Sequence, residues 1–176
     1  MAQPDRSDLI ASAAAGDEVA FRHIIVAYHD DMRRVCSYVT RDEVVADEAA
    51  QAAWSVAWKK IGSVRDPARL RPWLVSVAVN EAKKLMSKRR RRADFELATD
   101  MSNLPGGLDP ASGIDLVDLW AAVRRMDPDD RALLTMRYGV GFNSSELAIA
   151  TGKTPAAIRQ RLKRLVDRLR EDLSHD

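Results

Sequence analysis

From Phe21 onward the apolar residues fall at Ile25, Tyr28, Met32, Val35 and Val39, a step of three and four that draws one stripe down a helix. A second stripe through Ala50, Trp54, Ala57, Trp58 and Ile61 predicts another helix, beginning near Val44 and stopped by Gly62. Asp66-Pro67 supplies a cap and a first-turn proline. A longer helix then carries Leu70, Trp73, Leu74, Val77, Ala78 and Leu85 on its apolar side, with Pro72 near its start. No strand-like alternation persists long enough to compete, and the chain has no internal repeat. Between Ala93 and Gly113 the helical period vanishes, and Pro105-Gly106-Gly107 with Asp109-Pro110 bring turn chemistry instead. The expected fold is therefore all-α: two small helical domains, residues 8–92 and 113–173, joined by a flexible acidic linker, residues 93–112.

Length alone does not separate one ordinary domain from two small ones at 176 residues, so the internal boundary decides. With 46% hydrophobic and 31% charged residues, the chain has apolar material enough for cores and is not a disordered type. No apolar run approaches a membrane span, and Met1 to Asp8 is polar with no signal-peptide core; the expectation is a cytoplasmic protein without membrane insertion. The single cysteine, Cys36, lies on the apolar stripe and is expected to be a buried thiol. His23 and His29 are six residues apart, the wrong spacing for a helical metal pair. No glycine-rich phosphate loop, cysteine cluster or nucleophile elbow is present, so no enzyme, metal or cofactor is expected.

The net charge of +2 hides strong segregation. Lys83, Lys84, Lys88 and Arg89 to Arg92 form a basic tract. Ala93 to Ser112 contains Asp94, Glu96, Asp100 and Asp109 without a single Lys or Arg. A second basic group follows at Arg159, Arg161, Lys163, Arg164, Arg168 and Arg170. The order is basic, acidic, basic, as in two DNA-attracting units on a tether that DNA repels.

Beyond the linker the spacing predicts a helix from about Ile114 to Met126, buried through Leu116, Leu119, Trp120 and Val123. A second opens at Asp127-Pro128 and ends at Tyr138-Gly139. Asn143-Ser144-Ser145-Glu146 has the form of a capping box, starting a short helix that reaches Gly152. Thr154-Pro155 opens the last helix, with Ile158, Leu162, Leu165, Val166 and Leu169 on its stripe. Short helix, glycine turn and basic longer helix make a helix-turn-helix, whose second helix enters the major groove near its N-terminus. Arg159, Gln160, Lys163 and Arg164 lie off the stripe and carry donors for phosphates and base edges, and Thr154 with the free amides at the helix start suits a phosphate. A merely solvated helix face would show the same charges. The capping box, the small Ala148 and the turn glycine weigh for DNA binding.

Asp127 to Leu169 resembles the C-terminal domain of the bacterial extracytoplasmic-function sigma factors, with Glu146-Leu147-Ala148, Gly152 and Ile158-Arg159-Gln160-Arg161-Leu162 matching position by position. The N-terminal half is similar to the same family through Ala20-Phe21-Arg22, Asp47-Glu48-Ala49-Ala50-Gln51 and the run Arg71 to Asn80. That resemblance implies core RNA polymerase, promoter DNA in duplex and single-stranded form, and an anti-sigma factor as partners. It implies polymerase docking through Asp47, Glu48, Gln51, Trp54 and Trp58, and contact with the upstream, minus-thirty-five element through Ser144, Thr154, Arg159, Gln160, Lys163 and Arg164. Minus-ten recognition and melting fall to Arg65, Arg69, Arg71, Asn80, Lys83, Lys84 and Lys88. Strand opening exposes bases that need a basic surface, which Lys59-Lys60, Arg65, Arg69 and Arg71 supply ahead of a basic helix.

Two positions depart from the family pattern. The acidic residue usual after the glutamine is Ala52 here, and Ala53 replaces a larger apolar side chain. Trp54, Trp58, Trp73 and Trp120 all sit at helical spacing among apolar residues, where core packing competes with base stacking. The alternative function is a free-standing helix-turn-helix regulator with an N-terminal sensor or dimerisation domain.

Overall fold

The computed structural model of the chain describes residues 5–96, 122–123 and 125–174. Its N-terminal region consists of α1 (Arg6–Ala14), α2 (Glu18–Thr40), α3 (Glu43–Lys60) and α4 (Leu70–Glu96). Short 3₁₀ turns at Ile61–Ser63 and Pro67–Arg69 lie between the last two. Its C-terminal region contains α5 (Pro128–Leu134), a π-type turn at Thr135–Gly139, α6 (Ser144–Thr151) and α7 (Pro155–Ser174). The architecture is all-α in two helical regions, as the apolar period predicts.

Local chemistry sets the helix ends. Asp17 accepts from the amides of Val19 and Ala20 at 2.8 and 3.2 Å to start α2, and Asp42 accepts from Val45 at 3.0 Å to start α3. Helices α2, α3 and α4 pack mutually around Met32, Val35, Val39, Leu74, Val75 and Ala78, all buried. The face that α3 gives to this core is mostly alanine, with Ala46, Ala49, Ala53 and Ala57 each 0% exposed. Side chains this small let the helix axes approach closely. Ala53 therefore fills its site without the larger side chain usual in the family.

Two features differ from the expected organisation, and part of it lies outside the described residues. Helix α1 was not expected; it buries Ile10 and Ala13 and packs on α2 and the Ile61–Ser63 turn. The period stops at Ala93, yet α4 continues to Glu96, so the first residues of the expected linker are helical. Residues 97–112 of that linker, and 114–121 of the helix expected after it, lie outside the described residues, while Ala122, Val123 and Arg125 are helical.

The two regions share an interface, with α6 against α4 and α5 against α2. Arg131, 3% exposed, reaches across it: one guanidinium nitrogen donates to the Val39 carbonyl at 2.8 Å and another to the Met126 carbonyl at 2.6 Å. Burial lowers its pKa, with Arg41 acting in the same direction and Asp127 opposing. Arg34 donates to the Gly139 carbonyl at 2.7 Å.

Candidate nucleic-acid and polymerase interfaces

The C-terminal region builds its recognition unit from two caps and one buried stripe. Asn143 Oδ1 accepts from the amides of Ser145 and Glu146 at 2.8 and 3.0 Å, and Glu146 Oε2 accepts from the Asn143 amide at 2.8 Å. The capping box is complete. Helix α6 ends at Gly152, whose φ of 68° is left-handed and easy only for glycine. Thr154 Oγ1 accepts from the Ala157 amide at 3.2 Å and caps α7. The buried side of α7 is Ile158, Leu162, Leu165 and Leu169, packed in one core with Leu147 and Phe142.

With that stripe facing inward, Arg159, Gln160, Lys163 and Arg164 are all exposed on the opposite side of α7. Offsets of one, four and five residues place them on one arc of about 140°. Ser144 is half-buried in the first turn of α6, and Thr154 is exposed. Arg161 turns the other way: Nε and Nη2 both donate to Asp130 Oδ1, at 2.9 and 2.6 Å, and Arg168 comes within 4.0 Å of the other oxygen. Asp130 is 9% exposed.

The N-terminal residues are distributed differently. Arg65 and Arg69 are exposed on the loop between α3 and α4, beside a cleft of about 570 Å³ that Trp73, Ile149, Gly152 and Lys153 also line. Asn80 and Lys88 are exposed on α4. Lys83 pairs with Asp129 of the other region, and Lys84 with Glu81 at 2.7 Å. Arg71 is half-buried and partnered: Nε donates to Asp31 Oδ2 and Nη2 to the Val140 carbonyl, both at 2.8 Å, and the guanidinium lies 4.8 Å from the Phe142 ring centroid. The structure thus separates Arg71 from Arg65 and Arg69 by their partners.

Asp47, Glu48 and Gln51 are exposed along one face of α3. Asp47 accepts from Arg33 Nε at 2.8 Å, and Glu48 lies 3.4 Å from Arg89. Asp47 and Glu43 hold the Arg33 pKa above its ordinary value, the Asp47 hydrogen bond first. Trp54 and Trp58 turn inward. Trp54 is 8% exposed and donates Nε1–H to His29 Nδ1 at 3.2 Å, and both indoles meet Phe21 edge-to-face, at 5.7 and 4.8 Å. Cys36 is fully buried, with Sγ donating to the Ala78 carbonyl at 3.6 Å; burial, and secondarily the Asp47 charge, pushes its pKa up to about 12.

Sequence reasoning missed Arg34, Asp129 and Arg131, which tie the two regions together, and Asp31, which anchors Arg71 within the N-terminal region. Their partners lie 40 to 105 residues away along the chain, so no local spacing marks them.

A helical bundle joined to an exposed, basic helix-turn-helix defines the class: a DNA-binding transcription factor. Two family models match it, Sigma-70 region 2 over residues 24–92 and Sigma-70, region 4 over residues 116–169. The chain is 28% identical over 92% of its length to "Probable RNA polymerase sigma factor RfaY" of Xanthomonas campestris pv. campestris, of which it spans only 42%. It is 26% identical over 94% of its length to the ECF RNA polymerase sigma factor SigM of Mycobacterium tuberculosis, spanning 84% of that protein. In fold it is similar to the sigma factor RpoE solved with the anti-sigma factor NepR from Bartonella quintana. That match has a TM-score of 0.70 and 22% identity, covering 89% of this chain and 98% of that one. The chain belongs to the extracytoplasmic-function group of bacterial sigma factors. It is accordingly a non-catalytic transcription factor. Among the described residues no helix is long and apolar enough to cross a membrane.

Proposed function

We propose that this chain binds core RNA polymerase and directs it to a bipartite promoter, with α7 reading the upstream element. The observation that carries the reading is the face of α7 opposite its buried stripe, where two arginines, a lysine and a glutamine stand exposed at the groove-entering end of the helix. Arg pairs bidentately with guanine and Gln with adenine, and lysine adds phosphate attraction. The minus-ten contacts and strand opening go to the exposed Arg65, Arg69, Asn80 and Lys88, with Arg71, Lys83 and Lys84 able to join after exchanging their present partners. Polymerase docking goes to Asp47, Glu48 and Gln51, supported from within α3 by Trp54 and Trp58, with Ala52 leaving that face less acidic than is usual in the family. The likeness to RpoE solved with NepR supports an anti-sigma factor as a further partner.

Run-off transcription with core polymerase on genomic DNA tests this directly. Discrete start sites that depend on the chain are expected. A chain that fails to associate with core polymerase and footprints a palindromic site by itself would favour the free-standing regulator.

A further inference from the structure

Side-chain hydrogen bonds tie α3 to α2 on both sides of the docking residues. Toward the start of α3, Arg33 donates to Glu43 and Asp47 at 2.7 and 2.8 Å, and Ser37 donates to Glu43 at 3.0 Å. Beyond Gln51 the tie is Trp54 Nε1–H to His29 Nδ1, at 3.2 Å. The two ties differ in kind. A guanidinium keeps its charge at any pH a protein meets. An indole nitrogen only donates, so His29 Nδ1 must present a lone pair, and the imidazole must be neutral with its proton on Nε2. A proton on Nδ1 sets two donors against each other and breaks the bond.

Packing supplies little to replace it. Trp54 is 8% exposed, and Phe21, two turns before His29 on α2, meets it edge-to-face with ring centroids 5.7 Å apart. The neighbouring inward positions of α3 are Ala46, Ala49, Ala53 and Ala57, whose contacts are small and not directional. The hydrogen bond to His29 therefore gives the stretch of α3 around Gln51 a directional anchor that its packing lacks.

We propose that His29 is a positioning residue for polymerase docking: through Trp54 it holds the part of α3 that carries Gln51, and protonating it weakens docking. This rests on the docking face proposed above. The charged groups near His29 are few. On α2, Asp30, Asp31 and Arg33 lie within a turn of it; Asp31 is paired with Arg71 of α4, and Arg33 with Glu43 and Asp47 of α3. Helix α1 brings Arg6 and Asp8, both exposed, and α3 has no ionisable residue between Glu48 and Lys59. The C-terminal region meets α2 farther along, at Arg34 and Val39, where Arg131 is its charged group. Histidine is the side chain whose charge ordinarily changes between about pH 5 and 8, so across that window the change at this junction falls on His29.

The test is titration of core polymerase with the full chain, wild type against His29→Asn, from about pH 8 down to about pH 6. Asparagine keeps a carbonyl oxygen near the place of Nδ1 and does not titrate. The ratio of the two affinities cancels whatever titrates on the polymerase or at the exposed His23. Wild type relative to variant should fall about threefold to fivefold toward acid, the scale that one ordinary hydrogen bond sets. In the free chain, one of the four indole N–H resonances, identified by its loss in Trp54→Phe, should move with pH in the wild type and stay put in His29→Asn. A ratio that is flat with pH overturns the positioning role, and an indole resonance that is flat in the wild type overturns the hydrogen bond behind it. The wild-type resonance needs no variant to be read, so the proposal stays open to refutation even if asparagine lowers helicity by circular dichroism. A chain that binds polymerase at no pH overturns the docking reading instead, while the indole still reports on His29.

Discussion

The two surfaces proposed to meet a promoter differ in what their charged side chains do before any DNA arrives. In the N-terminal region Arg71, Lys83 and Lys84 are held by carboxylates, and at the docking face Asp47 and Glu48 are held by Arg33 and Arg89. On α7, Arg159, Gln160, Lys163 and Arg164 make no side-chain hydrogen bond or ion pair among the described residues. At the first surface Arg71, Lys83 and Lys84 would have to exchange partners, with a net gain that is the difference between two similar interactions, whereas Arg65, Arg69, Asn80 and Lys88 make no side-chain hydrogen bond or ion pair among the described residues. Binding at the second replaces water and counterions only. On the proposed reading, α7 offers an unpaired face to DNA, and the N-terminal surface holds part of its charge in pairs that DNA would have to displace.

The sharpest way to break this contrast is to unfold one side. Leu162→Ala empties a buried position of α7 and should cost about 2–5 kcal/mol of C-terminal stability, read by urea unfolding. If the regions were independent, tryptophan fluorescence from Trp54 and Trp58 would keep its midpoint; the shared interface predicts that the midpoint falls with it. Next in size is Arg159→Ala, expected to weaken upstream footprints in holoenzyme by about 1–3 kcal/mol with the bubble intact. Full footprints would remove α7 from the reading role.

How legible this molecule is depends on whether a feature is local. The apolar period marks α2 and α3 within about three residues of their ends, and the Asn143–Glu146 capping box can be read letter by letter. Helix α1 escapes because it buries only Ile10 and Ala13, too few to draw a stripe. The end of α4 escapes for a related reason: Arg89 to Arg92 are exposed, and a solvated helix needs no apolar period. Among site residues, the face of α7 follows from helical spacing once its stripe is known. The seat of Arg71 does not, because Asp31 and Phe142 reach it from opposite ends of the chain.

Cys36 offers a third test, through pH. Its thiol is raised from an ordinary 9.0 to about 12, so the fold favours the neutral form. That stabilisation is whole below about pH 9 and is lost as pH climbs from there toward 12, by about 1 kcal/mol one unit above the ordinary value. Urea unfolding should show this slope in the wild type and a shallower one in Cys36→Ala. Equal slopes would mean the thiol sees more water than its packing shows. The smallest effect is expected from Asp47→Ala, which breaks an exposed pair with Arg33 worth about 0.2–1 kcal/mol. Polymerase affinity should fall modestly, and a loss beyond tenfold would show that Asp47 gives up Arg33 for a stronger partner on the polymerase.

Asp130 has a consequence beyond stability. The buried stripe holds α7 against its neighbours through contacts that are not directional. The two donors that Arg161 places on one carboxylate oxygen act as a rotational stop. They fix the angular phase at which, on the proposed reading, Arg159, Gln160, Lys163 and Arg164 would meet a groove. Loosening that stop with Asp130→Asn would blur which base each side chain addresses while leaving the attraction to phosphate nearly whole, turning a discriminating reader into a merely adhesive one.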